Sequence, residues 1–146
     1  MTKASPLMLL TIPCLPDLDL SSNRRRSRHF MQQAQDTATE RERAGVMLAQ
    51  ARRDINPTYD AGPREIATPV ALIWTLFWPK GVRARDADAC ADLCKPWIDS
   101  MTGKGLGWFP NDSPRYVRRV SYESVAGSHP PQGGHMTLRI EQLWKE

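Results

Sequence analysis

Two aspartates spaced two residues apart, and a third after a glycine-containing loop, are the residues best suited to chemistry. Asp86 and Asp88 lie between an apolar stretch and a stretch with helical spacing, and Asp112 precedes a stretch of alternating character. Carboxylate oxygens suit Mg²⁺, which takes one or two carboxylates per ion and leaves room for water and a substrate phosphate. Such an ion polarises a phosphodiester and supplies hydroxide at neutral pH. If the flanking strands are neighbours, we predict that the three carboxylates meet at one end of a sheet and bind Mg²⁺, with Mn²⁺ as a substitute.

The spacing alone leaves a second role open for these aspartates. Asp-x-Asp pairs are common, and an aspartate at the start of a helix usually caps it. Lys95 follows Asp88 by two helical turns, where its ammonium group is suited to the charge that develops on a phosphate during hydrolysis. Ligand and cap therefore both remain possible roles for Asp86 and Asp88 at this stage.

The positive charge of the sequence is clustered. The chain has 146 residues and a formal net charge of +4. Basic clusters bind the phosphate backbone by releasing counterions, which gives affinity without reading sequence. By contrast, Arg41 and Arg43 alternate with Glu40 and Glu42, which is typical of a solvated helix face. We predict contacts with DNA from the following basic residues: Arg24, Arg25, Arg26, Arg28, Lys80, Arg83 and Arg85.

The apolar pattern predicts a single α/β (α+β) domain over residues 1–146, with the element order β-α-β-α-β-β. The predicted elements are a strand over Leu7–Ile12, one or two helices over Arg24–Arg53, a strand over Val70–Trp78, a helix over Asp88–Met101, a strand over Tyr116–Ser124 and a strand over Met136–Trp144. Val70–Trp78 is apolar at almost every position, which predicts a central strand buried on both faces. We expect the last two strands to form an antiparallel hairpin within a mixed sheet flanked by helices.

The cysteines and the apolar runs argue against several classes of protein. Three cysteines are an odd number, and Cys90 and Cys94 lack two further soft ligands that a zinc site would need. The longest apolar stretch ends at Pro79 and is too short to span a membrane. The segment Met1–Ile12 lacks the features of a secretory signal. We therefore expect a cytoplasmic protein without a membrane partner.

One stretch of the sequence resembles a known family. The residues RARDADACADLCKPWIDSMTGKGLGWFPNDSPRYVRRVSYES, from Arg83 to Ser124, resemble the central motif of RusA-type Holliday-junction resolvases, which are common in phages and prophages. That motif has an Asp-x-Asp pair, a helix with Lys and then Asp four residues later, a glycine-containing loop, and an Asp-Asp pair before a strand. The segment LSSNRRRSR resembles the family's opening, in which Asn precedes a basic segment, and this implies that Asn23 contacts DNA together with the arginines that follow it. The resemblance is loose before Arg64 and close from Arg83 to Val120.

The resemblance implies a RusA-like fold and a homodimer that binds four-way DNA junctions and makes paired nicks with Mg²⁺. Asp86, Asp88 and Asp112 match the metal-binding carboxylates of the motif. Lys95 matches its catalytic lysine. Asp99, one turn later, matches a helix acid that orients the lysine or lies near the metal. The expected setting is the cytoplasm of a bacterial cell, with the gene carried by a phage or prophage.

Two departures from the motif leave a second hypothesis open. Ala89 stands where the family usually has Asn, and Asn111 replaces the first residue of the Asp-Asp pair, where it keeps hydrogen bonding but contributes no charge. The alternative to an endonuclease is a non-catalytic protein that binds branched DNA on the same scaffold. Trp108 and Phe109, next to Asp112, suit either a wedge at a junction crossover or core packing.

Overall fold

A computed structural model of the chain describes residues 2–18, 29–59, 66–128 and 133–145. Its elements are β1 (Thr2–Ile12), α1 (Phe30–Ile55), β2 (Val70–Pro79), α2 (Ala87–Ser100), β3 (Val117–Ser128) and β4 (His135–Lys145). The order is the predicted β-α-β-α-β-β, in one α+β domain with a mixed four-stranded sheet. None of the helices among these residues has the length and apolarity that crossing a membrane requires.

The predicted hairpin of the last two strands is wrong. The sheet order is β1-β4-β2-β3, so β4 lies between β1 and β2 and runs antiparallel to both, while β2 and β3 are parallel. In this central position β4 buries Met136, Leu138 and Ile140 completely. Polar side chains such as Arg118 and Ser124 make β3 better suited to the edge of the sheet.

Both helices pack on the same face of the sheet. The chain crosses from β1 past β4 to β2, and then from β2 to β3, in the same direction along the sheet. Because crossovers between parallel strands share one hand, two steps in the same direction place their helices on one side. Accordingly, α1 and α2 contact each other. One core, which includes Leu48, Leu72, Trp74, Trp97 and Leu138, fills the space between the helices and the sheet.

The predicted central position of β2 is confirmed, since β2 lies between β4 and β3, but its burial on both faces is only partial. The side chains that face the helices, such as Leu72 and Trp74, are fully buried. Those on the opposite face, Ile73, Thr75 and Phe77, are only partly buried. Since no described helix covers that side of the sheet, its apolar side chains remain in partial contact with solvent.

Candidate functional site

Asp86 and Asp88 lie at the beginning of α2, where the chain turns back from the end of β2. Asp86 is the N-cap, and its Oδ1 accepts a hydrogen bond of 2.9 Å from the backbone N–H of Ala89. Asp88 lies in the first helical turn, and both side chains are exposed. Negative charge at this end of a helix is favoured by the unpaired N–H groups and by the helix dipole. Capping is therefore the role that Asp86 has in this structure.

Lys95 forms the centre of a cluster of charged side chains on α2. Its Nζ donates a hydrogen bond to Oδ2 of Asp112 and lies 3.1 Å from Oδ1 of Asp99. Asp99 is one helical turn after Lys95, while Asp112 comes from the loop that precedes β3, 17 residues away. The side chains of Lys95 and Asp112 are 56% and 40% exposed. Two carboxylates from separate segments thus hold one ammonium group at the surface.

The ion pairs shift the pKa values of this cluster towards the charged forms. The hydrogen bond from Lys95 lowers the pKa of Asp112 below its ordinary value, against a smaller opposing effect of burial. Burial lowers the pKa of Lys95, but the hydrogen bonds and charges of Asp112 and Asp99 outweigh this effect, so that its pKa is raised. Both partners are therefore charged at neutral pH.

The glycine-containing loop holds Asp112 against α2. At its start the backbone N–H of Leu106 donates to the carbonyl oxygen of Ser100 at 2.7 Å. Further on, Trp108 and Phe109 are fully buried, and Trp108 donates through Nε1 to the hydroxyl of Tyr59 at 2.9 Å. Of the two roles considered for Trp108 and Phe109, the structure therefore shows core packing, and this packing fixes the path of the chain towards Asp112.

Asn111 has a local role beside this cluster. Its Oδ1 accepts a hydrogen bond of 2.9 Å from the backbone N–H of Ser113. This bond stabilises the turn that carries Asp112 into β3. The side chain thus keeps the hydrogen-bonding function expected of it at this position, without adding a second charge.

The predicted meeting of Asp86, Asp88 and Asp112 is not present. The prediction assumed that neighbouring strands would bring them to one end of the sheet, but β2 and β3 are parallel, so the end of β2 and the beginning of β3 lie at opposite ends. Helix α2 spans the distance between them, and Lys95 comes seven positions after Asp88 along the helix, a rise of about 10 Å. Among the described residues, no three His, Cys, Asp or Glu side chains are grouped so that they could hold a metal ion.

The basic loop between β2 and α2 lies at the same end of the sheet as Asp86. Lys80 and Arg83 are exposed, whereas Arg85 is partly buried, with its guanidinium 5.4 Å from the centre of the Trp78 ring. The other predicted DNA contacts, Asn23, Arg24, Arg25, Arg26 and Arg28, lie outside the described residues. The structure therefore offers two exposed basic side chains, Lys80 and Arg83, to a phosphate backbone at this end.

Sequence reasoning missed the buried carboxylate of Glu40. Interpreted as part of a solvated helix face, Glu40 is in fact only 2% exposed. It accepts hydrogen bonds from the backbone N–H of Asp17, from Nε1 of Trp97 and from the guanidinium of Arg43. Glu40, Ala44 and Leu48 follow one another at intervals of one helical turn, and this spacing indicates that Glu40 lies on the buried side of α1.

A groove of about 480 Å³ lies between α1 and the loop after α2. Most of the residues that line it are small or apolar, including Gly45, Val46, Ala49 and Leu106. Lys104 is one of the charged residues in the lining. None of the predicted site residues lines this groove. It is therefore separate from the cluster around Lys95.

Comparison of the chain with protein-family models and with curated proteins finds no match. The resemblance to the RusA-type motif therefore depends on the residues from Arg83 to Val120. Of the residues that this motif singles out, the structure brings together Lys95, Asp99 and Asp112, and it leaves Asp86 and Asp88 at the start of the same helix.

Proposed function

We propose that this protein is a structure-selective endonuclease that cuts four-way junctions or related branched DNA in the cytoplasm of a bacterial host. The observation that carries the proposal is the contact of Lys95 with both Asp99 and Asp112 at an exposed surface. In the RusA-type motif these positions belong to the catalytic site. The motif matches them to the catalytic lysine, a helix acid and one metal-binding carboxylate, and their contact across 17 residues of sequence supports the proposal.

Lys95 supplies a cation that its neighbours hold in a defined position. Asp99 and Asp112 both bind its Nζ, so the flexible side chain loses part of its freedom before any substrate arrives. A positioned positive charge stabilises the negative charge that develops on a phosphate during hydrolysis. The proposal gives Lys95 this role, with Asp99 and Asp112 as the groups that orient it.

Mg²⁺ is part of the proposed function because the RusA-type motif implies it and because carboxylate oxygens suit it. Exposed carboxylates such as Asp88 and Asp112 are hard oxygen ligands of the kind that Mg²⁺ uses. In the conformation described here, however, the carboxylates are not grouped around a common point, and Asp112 is engaged by Lys95. The donor types fit the ion, whereas their arrangement does not.

The absence of grouped carboxylates among the described residues favours a second candidate function. A protein that binds branched DNA without cutting it needs the exposed basic loop but needs no grouped carboxylates. Ala89 and Asn111, which replace an amide and a carboxylate of the motif, point in the same direction. Binding is therefore common to both candidates, and only cleavage separates them.

The test is cleavage of a synthetic four-way junction by the purified full chain in Mg²⁺, in Mn²⁺ and in EDTA. We expect paired symmetric nicks with either metal and none in EDTA. Lys95→Met should lower the rate by about 100-fold, as expected for a lost charge-stabilising group, and Asp88→Asn should lower it as well. Lys104→Met is the matched control, since this exposed lysine lies outside the cluster, and it should cut at the wild-type rate.

Each negative result has a distinct meaning. Salt-sensitive binding of the junction with no nicks in either metal would reject the endonuclease and support the non-catalytic protein. A wild-type chain that binds branched and linear DNA equally weakly would reject both. Circular dichroism of every variant must match that of the wild type, so that a loss of cleavage is not a loss of fold.

A further inference from the structure

The groove between α1 and the loop after α2, which we call the α1 groove, presents apolar atoms to solvent. Val46 from α1 is 67% exposed, and Leu106 from the loop is partly buried. Ala49, one turn after Gly45, is almost completely buried beside them. A cavity of about 480 Å³ lies within the range of volumes that ligand sites have. The α1 groove is therefore large enough and apolar enough to bind another molecule.

Gly45 has no evident role in the fold of the single chain. It lies inside α1, where glycine is less favourable than alanine. Its φ is not positive, and a Cβ atom at this position would have no heavy atom within 4 Å. Neither a turn nor a close contact among the described residues therefore requires a glycine here. A glycine also allows another backbone to approach closely, and Gly45 lines the α1 groove, where such an approach is open.

The rim of the α1 groove carries more positive than negative charge. Among the described residues that line it, Arg41, Arg53 and Lys104 are basic, and Glu42 is acidic. Arg41 and Lys104 are exposed. Arg53 donates a hydrogen bond of 3.1 Å to the side-chain oxygen of Gln50, which is a neutral partner. A ligand that complements this rim carries acidic groups beside apolar ones.

We propose that the α1 groove binds a short, acidic, amphipathic helix of a partner protein. Arg41 and Arg53 are twelve positions apart on α1, a rise of about 18 Å, and a helix of about three turns covers that length. Its apolar side chains, three or four residues apart, contact Val46 and Leu106, while its acids face the basic rim. This is the helix-in-groove mode of peptide recognition. The contact is small for a protein–protein interface, so we expect a dissociation constant of about 1–100 μM.

The apolar lining favours a peptide over nucleic acid. DNA owes its affinity for basic surfaces to its phosphates, and these gain little from Val46 and Leu106 and are repelled by Glu42. None of the residues proposed for DNA cleavage lines the α1 groove, so the partner helix and the DNA contact different residues. The inference therefore goes beyond the proposed function and does not rest on it.

Selection of peptides of about twelve residues from a random display library, with the full chain as bait, tests the proposal. Selected peptides are synthesised and their affinities measured by fluorescence anisotropy. We expect net acidic sequences with apolar residues three or four positions apart. Gly45→Leu fills the groove from α1 and should weaken binding by about tenfold or more. Ala87→Leu is the matched control, since Ala87 is exposed at the beginning of α2 and does not line the groove, and it should bind as the wild type does.

Arg53→Glu tests the basic rim and keeps the proposal testable if Gly45→Leu does not fold. Reversing this charge should weaken binding of the selected peptides by about three- to tenfold at low salt. The difference should shrink in about 1 M salt, where exposed charges are screened. Arg118→Glu reverses an exposed charge on β3, outside the groove, and is the control.

Four results would overturn the proposal. The library could yield no enriched peptide, or only basic ones. Acidic peptides whose affinity is unchanged in Gly45→Leu would bind elsewhere on the chain. Weaker binding of a four-way junction by Gly45→Leu, which alters no charge, would assign the groove to DNA. A molecular mass of Gly45→Leu in light scattering that differs from that of the wild type would assign it to a second copy of the chain.

Discussion

The indole nitrogen of Trp97 donates a hydrogen bond of 3.0 Å to Oε2 of Glu40, a carboxylate that is almost completely buried. The same carboxylate accepts from the backbone N–H of Asp17 at 2.6 Å and from Arg43 at 2.7 Å. A carboxylate in the interior is tolerated only when its oxygens are paired. Glu40 therefore joins α1 to α2 and to the segment that follows β1.

Trp97→Phe should destabilise the protein more than Trp74→Phe. Both indoles are fully buried and pack edge to face against each other, so the two changes leave similar cavities. Trp97→Phe also removes a hydrogen-bond donor from a buried carboxylate, which should lower the free energy of unfolding by a further amount of about 1.5–3 kcal/mol. Nε1 of Trp74 has no hydrogen-bond partner in the described structure, so its removal breaks no bond. Urea unfolding measures both variants, and equal losses would contradict this account of Glu40.

The pair of Lys95 and Asp112 should contribute a stability that depends on pH. Because the pKa of Asp112 is lowered on folding, its contribution is complete above the ordinary value of 3.8 and is lost as the pH falls through the lower folded value. Because the pKa of Lys95 is raised above 10.5, its contribution is lost only at higher pH. Both groups are substantially exposed, so the expected size is about 0.5–1 kcal/mol at neutral pH.

The measurement compares urea unfolding of the wild type and Lys95→Met, in EDTA, at neutral and strongly acidic pH. The difference in free energy of unfolding should be present at pH 7 and should disappear well below pH 3.8. Lys104→Met, whose lysine lies outside the cluster, should show no such difference. If the difference in free energy of unfolding between wild type and Lys95→Met is the same at both pH values, then it arises from lost packing of the lysine methylenes and not from the ion pair.

The exposed basic loop should contribute to the salt dependence of DNA binding. Each phosphate contact that is lost should reduce the slope of log affinity against log salt by about 0.9. Replacing Lys80 and Arg83 by Ala should therefore flatten the slope by up to about 1.8 for a four-way junction, measured by fluorescence anisotropy in EDTA. Arg41→Ala, on the exposed side of α1, is the control and should leave the slope unchanged. An unaltered slope in the double variant would show that the loop does not touch the backbone.

The sequence predicted the order of the elements but not the neighbours of each strand. Alternation and helical spacing report whether a residue faces a core, and the core residues Leu72, Trp74 and Leu138 follow such patterns. The same patterns do not specify which strand lies beside which, because several pairings bury the same side chains. The insertion of β4 between β1 and β2, in place of a hairpin with β3, is an outcome of packing over the whole sheet.

The sequence likewise predicts one part of the candidate site and not the other. Lys95 and Asp99 are one helical turn apart, so their contact follows from spacing alone. The position of Asp112 depends on the direction of β3 relative to β2, which no local pattern reveals, and the parallel pairing takes it away from Asp86. Glu40 was missed because a charged side chain is ordinarily exposed, and only its three donors make its burial favourable.

Two glycines should respond to substitution by alanine with opposite signs. At Gly105, a Cβ atom would lie 2.1 Å from the backbone oxygen of Ser100, so the loop must shift away from the end of α2. That shift strains the hydrogen bond from Leu106 to Ser100, at an expected cost of about 1–3 kcal/mol. Gly45 lies inside α1 with nothing within 4 Å of such an atom, and Gly45→Ala should stabilise the helix by about 0.5–1 kcal/mol. Thermal unfolding distinguishes the two, and a Gly105→Ala variant as stable as the wild type would show that the loop which carries Asp112 is not held by this close approach.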